Sequence, residues 1–119
     1  MTNVMNMSVR ECNVLWTGDT SVETYPAQNL TLNLAGYTLL MIACRGRINS
    51  NTTCNIVVND SAIYTPQLVR ANFGSSAIPY RYVTITSTGL SFSNEFTGTT
   101  GEEHVSNNNV IPYVIYGIR

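Results

Sequence analysis

The last ten residues, VIPYVIYGIR (110–119), restrict the fold more than any other stretch of this chain. Side chains alternate between faces along an extended strand, so Ile111, Tyr113 and Ile115 point one way while Val110, Val114, Tyr116 and Ile118 point the other. Both sets are apolar or aromatic. YTLLMIAC (37–44) is apolar throughout in the same manner, the pattern of a strand covered on both faces and seated centrally in a sheet. Two such strands carry more apolar surface than one small fold can shelter, so the sequence predicts a homo-oligomer with Tyr113, Ile115, Tyr116 and Ile118 at the subunit contact.

The remaining pattern agrees with an all-β chain. NVLWT (13–17) reads as a strand, and NLTLNL (29–34) alternates with Leu30, Leu32 and Leu34 turned to a core. CNIVV (54–58) can return antiparallel to 37–44, leaving RGRINSNTT as a polar hairpin loop. YRYVTITST (80–88) and LSFSNEF (90–96) make a hairpin around Gly89, and TGTTGEEHVSNNN (97–109) reads as surface loop. Pro112 cannot donate to a ladder and belongs near the start of its strand. Charged residues make up only 11% of the chain, and Asn, Ser and Thr, which are mediocre helix formers, carry the polar share. With 119 residues there is room for one core. The expected fold class is an antiparallel, jelly-roll-like β-sandwich over residues 11–119, preceded by an arm or connector at 1–10.

Several function classes are disfavoured on the same grounds. A net charge of -1 with no lysine provides no basic field for nucleic acid. No apolar run reaches the roughly 18 residues of a membrane-spanning helix, so no membrane insertion is expected, and the first residues lack the pattern of a secretory leader. Cys12, Cys44 and Cys54 are an odd number without metal spacing; they read as free, buried thiols, with a Cys44–Cys54 disulfide across the hairpin loop as the alternative. The single histidine, His104, sits in the polar stretch EEHVS, which reads as a solvated loop. No nucleophile motif accompanies it, and the spacing of Asp19, Asp60, Glu95 and Glu102 selects no catalytic pair. Neither a metal nor a cofactor is expected.

Saccharide binding needs less machinery, namely an aromatic face for a sugar ring and planar groups that read hydroxyls. Arg45, Arg47 and Asn49 in the first long loop, with Tyr64, Tyr80 and Arg81 around the central loops, are the candidates. Trp16, Tyr82, Tyr113 and Tyr116 are assigned to packing or contacts between subunits.

Three motifs together resemble the C-terminal head domains of bacteriophage tail fibre and baseplate proteins. These are the opening Asn13-x-Leu15-Trp16-x-Gly18, the strand Tyr37-x-Leu39-Leu40-x-Ile42, and the terminus Ile115-Tyr116-Gly117-Ile118-Arg119. The resemblance runs through nearly the whole chain in order, apart from residues 45–80. It implies a trimeric β-sandwich head at the tip of a virion appendage, assembled in the bacterial cytoplasm beside other virion proteins, that attaches to host cell-surface saccharide or teichoic-acid polymer without altering it. The alternatives are a structural trimerisation knob or capsid-decorating module with no ligand, and a glycan-degrading depolymerase.

Overall fold

The computed structural model describes residues 11–47, 52–60, 62, 66–71, 78–98 and 100–119. Among them are nine strands and no helix: β1 (Cys12–Thr17), β2 (Gln28–Thr31), β3 (Leu39–Arg45), β4 (Thr52–Val58), β5 (Gln67–Arg70), β6 (Tyr80–Thr86), β7 (Gly89–Phe96), β8 (Glu103–His104) and β9 (Ile111–Ile118). They build two sheets in which every pairing is antiparallel. The first runs β1-β9-β3-β4 and the second β2-β7-β6-β5, with the short β8 also lying along β7. The sheets pack against each other as the layers of a β-sandwich, with one core between them.

Strand parity decides what enters that core. From the first sheet come Leu40, Ile42, Cys44, Val57 and Ile115, and from the second Val69, Val83, Leu90 and Phe92, each at most 2% exposed. The C-terminal strand does lie between two neighbours, with β1 on one side and β3 on the other. Its faces are not equivalent, however. Ile115 is fully buried beneath the second sheet, so it is a core residue and not a subunit contact as expected, whereas Tyr116 and Ile118 of that set are on the outer face. Tyr113 sits half-buried where the register with β3 shifts, its carbonyl taken by the Gly18 amide. Gly117 is the inward position between them. A Cβ there would stand 2.6 Å from the Tyr37 ring, so only glycine lets that ring lie on the strand.

The outer face of the first sheet is the unusual one. Register places Cys12, Ile118, Leu39 and Val58 in one row across all four strands, Val14, Tyr116, Met41 and Ile56 in the next, and Thr17, Val114, Ala43 and Cys54 in the third. None of the twelve is charged. At the β4 edge, two side-chain amides join the sheets: Asn55 exchanges hydrogen bonds with the Arg70 backbone (2.8 and 3.0 Å), and Gln67 does so with the Val58 backbone (2.8 and 2.9 Å).

Some expectations shift by a few residues. The ladder of β2 stops at Thr31, although Leu32 and Leu34 still pack on the core. The β3–β4 connection shortens to residues 46–51, because both strands extend into the polar flanks. The stretch 97–109 is not wholly loop, since Glu103–His104 pairs with β7. All three cysteines are free. Cys44 faces the core, while Cys54 is paired with Ala43 and lies on the outer face, so one strand pairing sends the two thiols to opposite sides; Cys12 is likewise exposed rather than buried.

Candidate binding cleft

At the end of the sandwich where β1 hands the chain to β2, residues 18–27 cross from one sheet to the other. A bulge between Val14 and Trp16 sets two residues of β1 against one of β9, and both Leu15 and Trp16 lean on the core as a result. The outer part of the indole then forms one wall of a cleft of about 170 Å³, completed by Asp19, Val22, Thr24, Tyr25 and Gln28. Gly18 follows directly: a Cβ there would stand 2.7 Å from Trp16 Cη2, so a larger residue would displace the indole from the wall.

Asp19 presents a carboxylate at the rim. Its Oδ1 accepts from the Ser21 amide (2.8 Å) and hydroxyl (2.6 Å), and these bonds, the hydroxyl first, hold the carboxyl below the usual carboxylate range. Its Oδ2 takes no partner among the described residues. Gln28 spends its Nε2 on the Pro26 carbonyl, which fixes the side chain and leaves Oε1 available as an acceptor.

The back wall is Tyr25, only 6% exposed, whose ring meets the edges of Trp16 (6.3 Å) and Phe92 (5.5 Å). Burial pushes its phenol up to about 12. Beneath it lies Arg81, fully buried on the inward parity of β6, with its guanidinium carbon 5.3 Å from the Tyr25 ring centre. Arg81 donates from Nε to the Val110 carbonyl (2.8 Å) and from Nη1 to the Ser93 carbonyl (2.7 Å). Desolvation lowers its pKa from the usual arginine value, and the carboxylate of Glu95, its cross-strand neighbour, works against that lowering. Glu95 is itself fully buried, accepting from the amides of Asn109 (2.9 Å) and Val110 (2.8 Å) and bonded to His104 Nδ1 (2.9 Å).

Of the six residues expected to read a saccharide, the four that the structure describes do not gather. Arg81 is a brace for the core and never reaches the surface. Arg45 is 6% exposed, its Nη2 donating to the carbonyl of Val22 (2.9 Å) and, at longer range, of Thr20 (3.4 Å). Both corrections have one cause, an arginine donating to backbone carbonyls that the strand ladders leave unpaired: those of the crossing loop for Arg45, and those of Val110 and of Ser93 in the β7 irregularity for Arg81. Arg45 therefore holds the cleft's rim and Arg81 backs its rear wall. Arg47 is exposed beside the β3–β4 turn, and Tyr80 stands on the outer face of the second sheet, stacked on Phe96 at 5.6 Å. Asn49 and Tyr64 lie outside the described residues.

Sequence reasoning weighed Asp19 only as one of four carboxylates without a catalytic partner, did not single out Gln28, and gave Trp16 to packing, whereas its indole both packs on the core and lines the cleft. The Asp-x-Ser pair after Trp16-x-Gly18 was the available signal, since an Asp bonding two residues ahead marks a turn that fixes its carboxylate. A larger hollow of about 420 Å³ lies at the opposite end, against Leu32–Ala35, Asn59, Asp60 and the β6–β7 turn. It has no aromatic wall, and its Asn59 amide is already engaged with the carbonyls of Leu34 and Tyr37. Among the described residues, no group of three or more His, Cys, Asp or Glu side chains is placed to hold a metal ion. Comparison with family models, with curated proteins and with solved structures gives no match to this chain.

Proposed function

We propose that this chain is a saccharide-binding head domain that grips one sugar unit of a host-surface glycan in the Trp16–Tyr25 cleft without cleaving it. The observation that carries the reading is the combination in one cleft of an indole wall, a fixed carboxylate and a fixed amide. Sugar rings offer an apolar face of C–H groups and an equatorial rim of hydroxyls; the first suits Trp16, and the second suits acceptors such as Asp19 and Gln28. The volume equals about six water molecules at roughly 30 Å³ each, the scale of a single ring. Rigidity supports affinity as well, because walls held by Arg45 and Arg81 lose little entropy when a ligand arrives. Hydrolysis by a carboxylate pair needs two acids, whereas the lining supplies Asp19 alone, which favours binding over depolymerisation. The jelly-roll-like virion head implied by the terminal motifs is the setting in which this cleft would meet a bacterial surface.

A second reading, a structural knob with no ligand, draws on the apolar outer face of the first sheet. Retention of fluorescently labelled protein on bacterial cells and on their extracted wall polysaccharides separates the two. Asp19→Asn, which leaves the core untouched, should weaken retention at least tenfold, and Trp16→Ala should abolish it. Leu68→Ser, at an exposed position on the other sheet, should have no effect. Equal retention by all variants would refute the cleft, and release of reducing ends would return the hydrolase.

A further inference from the structure

We propose that the outer face of the first sheet is a contact between copies of this chain, closed by the same face of a second copy. The row Val14, Tyr116, Met41 and Ile56 crosses all four strands without interruption, and its two ends, Val14 and Ile56, are 58% and 56% exposed. A sheet face in a lone sandwich ordinarily alternates polar residues outward. Here the outward residues of the first two rows are apolar on every strand, including the two central ones, while in the third row Thr17 is polar and Ala43 and Val114 are already buried.

The occupant follows from chemistry and size. The rows contain no cation and the chain has no lysine, so the face lacks what an anionic membrane surface requires. An uncharged face is complementary to itself, because two copies meet without opposing like charges or burying an unpaired one. Four strands about 4.8 Å apart and seven residues long, at about 3.3 Å each, give roughly 440 Å² of flat face per copy. Two such faces therefore withdraw on the order of 900 Å², and more once the relief of the side chains and the rim are counted. That is the size of a weak, transient contact rather than of a standard interface, so association is expected only as protein concentration rises. Packing at the spacing of stacked sheets, about 10 Å, would join two sandwiches back to back.

Cys12 and Cys54 stand at diagonal corners of this face and report on it directly. Sedimentation velocity on the full chain from 1 to 200 µM should show an oligomer that gains mass with concentration. Ile56→Lys, at a position water already reaches in the lone subunit, should shift that equilibrium at least thirtyfold toward monomer with an unchanged circular-dichroism spectrum. Leu68→Lys on the other sheet should associate as the wild type does. Labelling of Cys12 and Cys54 by a maleimide should slow as protein concentration rises, while reagent reaches Cys44 only on unfolding. A wild-type chain that stays monomeric at 200 µM would overturn the proposal. So would an Ile56→Lys variant that associates undiminished, or corner thiols labelled at a rate independent of concentration. None of these readouts uses a saccharide, so the contact and the cleft stand or fall separately.

Discussion

Cys44 and Tyr25 are acids that the core holds in their neutral forms. Burial raises the thiol of Cys44 from an ordinary 9.0 to about 12 and the phenol of Tyr25 from 10.0 to about 12. An unfolded chain releases both protons earlier, so the stability these groups contribute is complete below pH 9 and lost as pH climbs toward 12. For Cys44 alone the loss by pH 12 is on the order of 4 kcal/mol. Urea midpoints measured from pH 8 to pH 12 should fall from about pH 9 onward, and in Cys44→Ala the fall should begin about one unit higher. A midpoint that is flat to pH 11 would contradict the burial of both groups. Arg81 shows what sequence can reveal at this scale and what it cannot. Its inward parity beside Val83 was legible, but a lone arginine in an apolar register reads as a surface residue until Val110 and Ser93 are seen offering it their carbonyls.

Elements were most legible where pattern and turn chemistry coincide. The β6–β7 hairpin around Gly89 and the β3–β4 return both follow from alternation between short polar breaks, and their antiparallel pairing is as expected. β5 escaped notice because QLVR is four residues long, and its attachment to the first sheet is made by side chains that leave no periodic trace. Register was less legible than existence. Bulges between Val14 and Trp16, between Ala43 and Cys44, and between Arg81 and Val83 each shift one strand against its neighbour, and simple counting across the hairpin misses all three. The amide seam gives a test of its own. Asn55→Ala removes the acceptor of the Arg70 amide and the donor to the Arg70 and Ile42 carbonyls. It should cost about 1–3 kcal/mol in urea unfolding, with the slope unchanged. An unaltered midpoint would mean that the seam contributes nothing to holding the sheets together.

For the molecule as a whole, the apolar C-terminal strand is explained by its seat between β1 and β3, one face to the core and the other in the uncharged outer rows. The first and last described strands, β1 and β9, are thus paired, while the loop joining β1 to β2 crosses between the sheets and carries the cleft. The fold class could be read from residue pattern because strand faces repeat every second residue. The cleft could not, because it forms where Trp16, Asp19, Tyr25 and Gln28 converge at a crossing whose path only the folded chain defines. The most direct test of the account is a two-dimensional ¹⁵N–¹H titration with a panel of pyranose monosaccharides. It predicts that at least one sugar moves the Trp16 indole N–H together with the amides of Gly18, Asp19 and Gln28, and leaves Tyr80, Tyr82 and Phe96 in place. Shifts confined to those three aromatics, or a spectrum that no sugar changes at millimolar concentration, would contradict it.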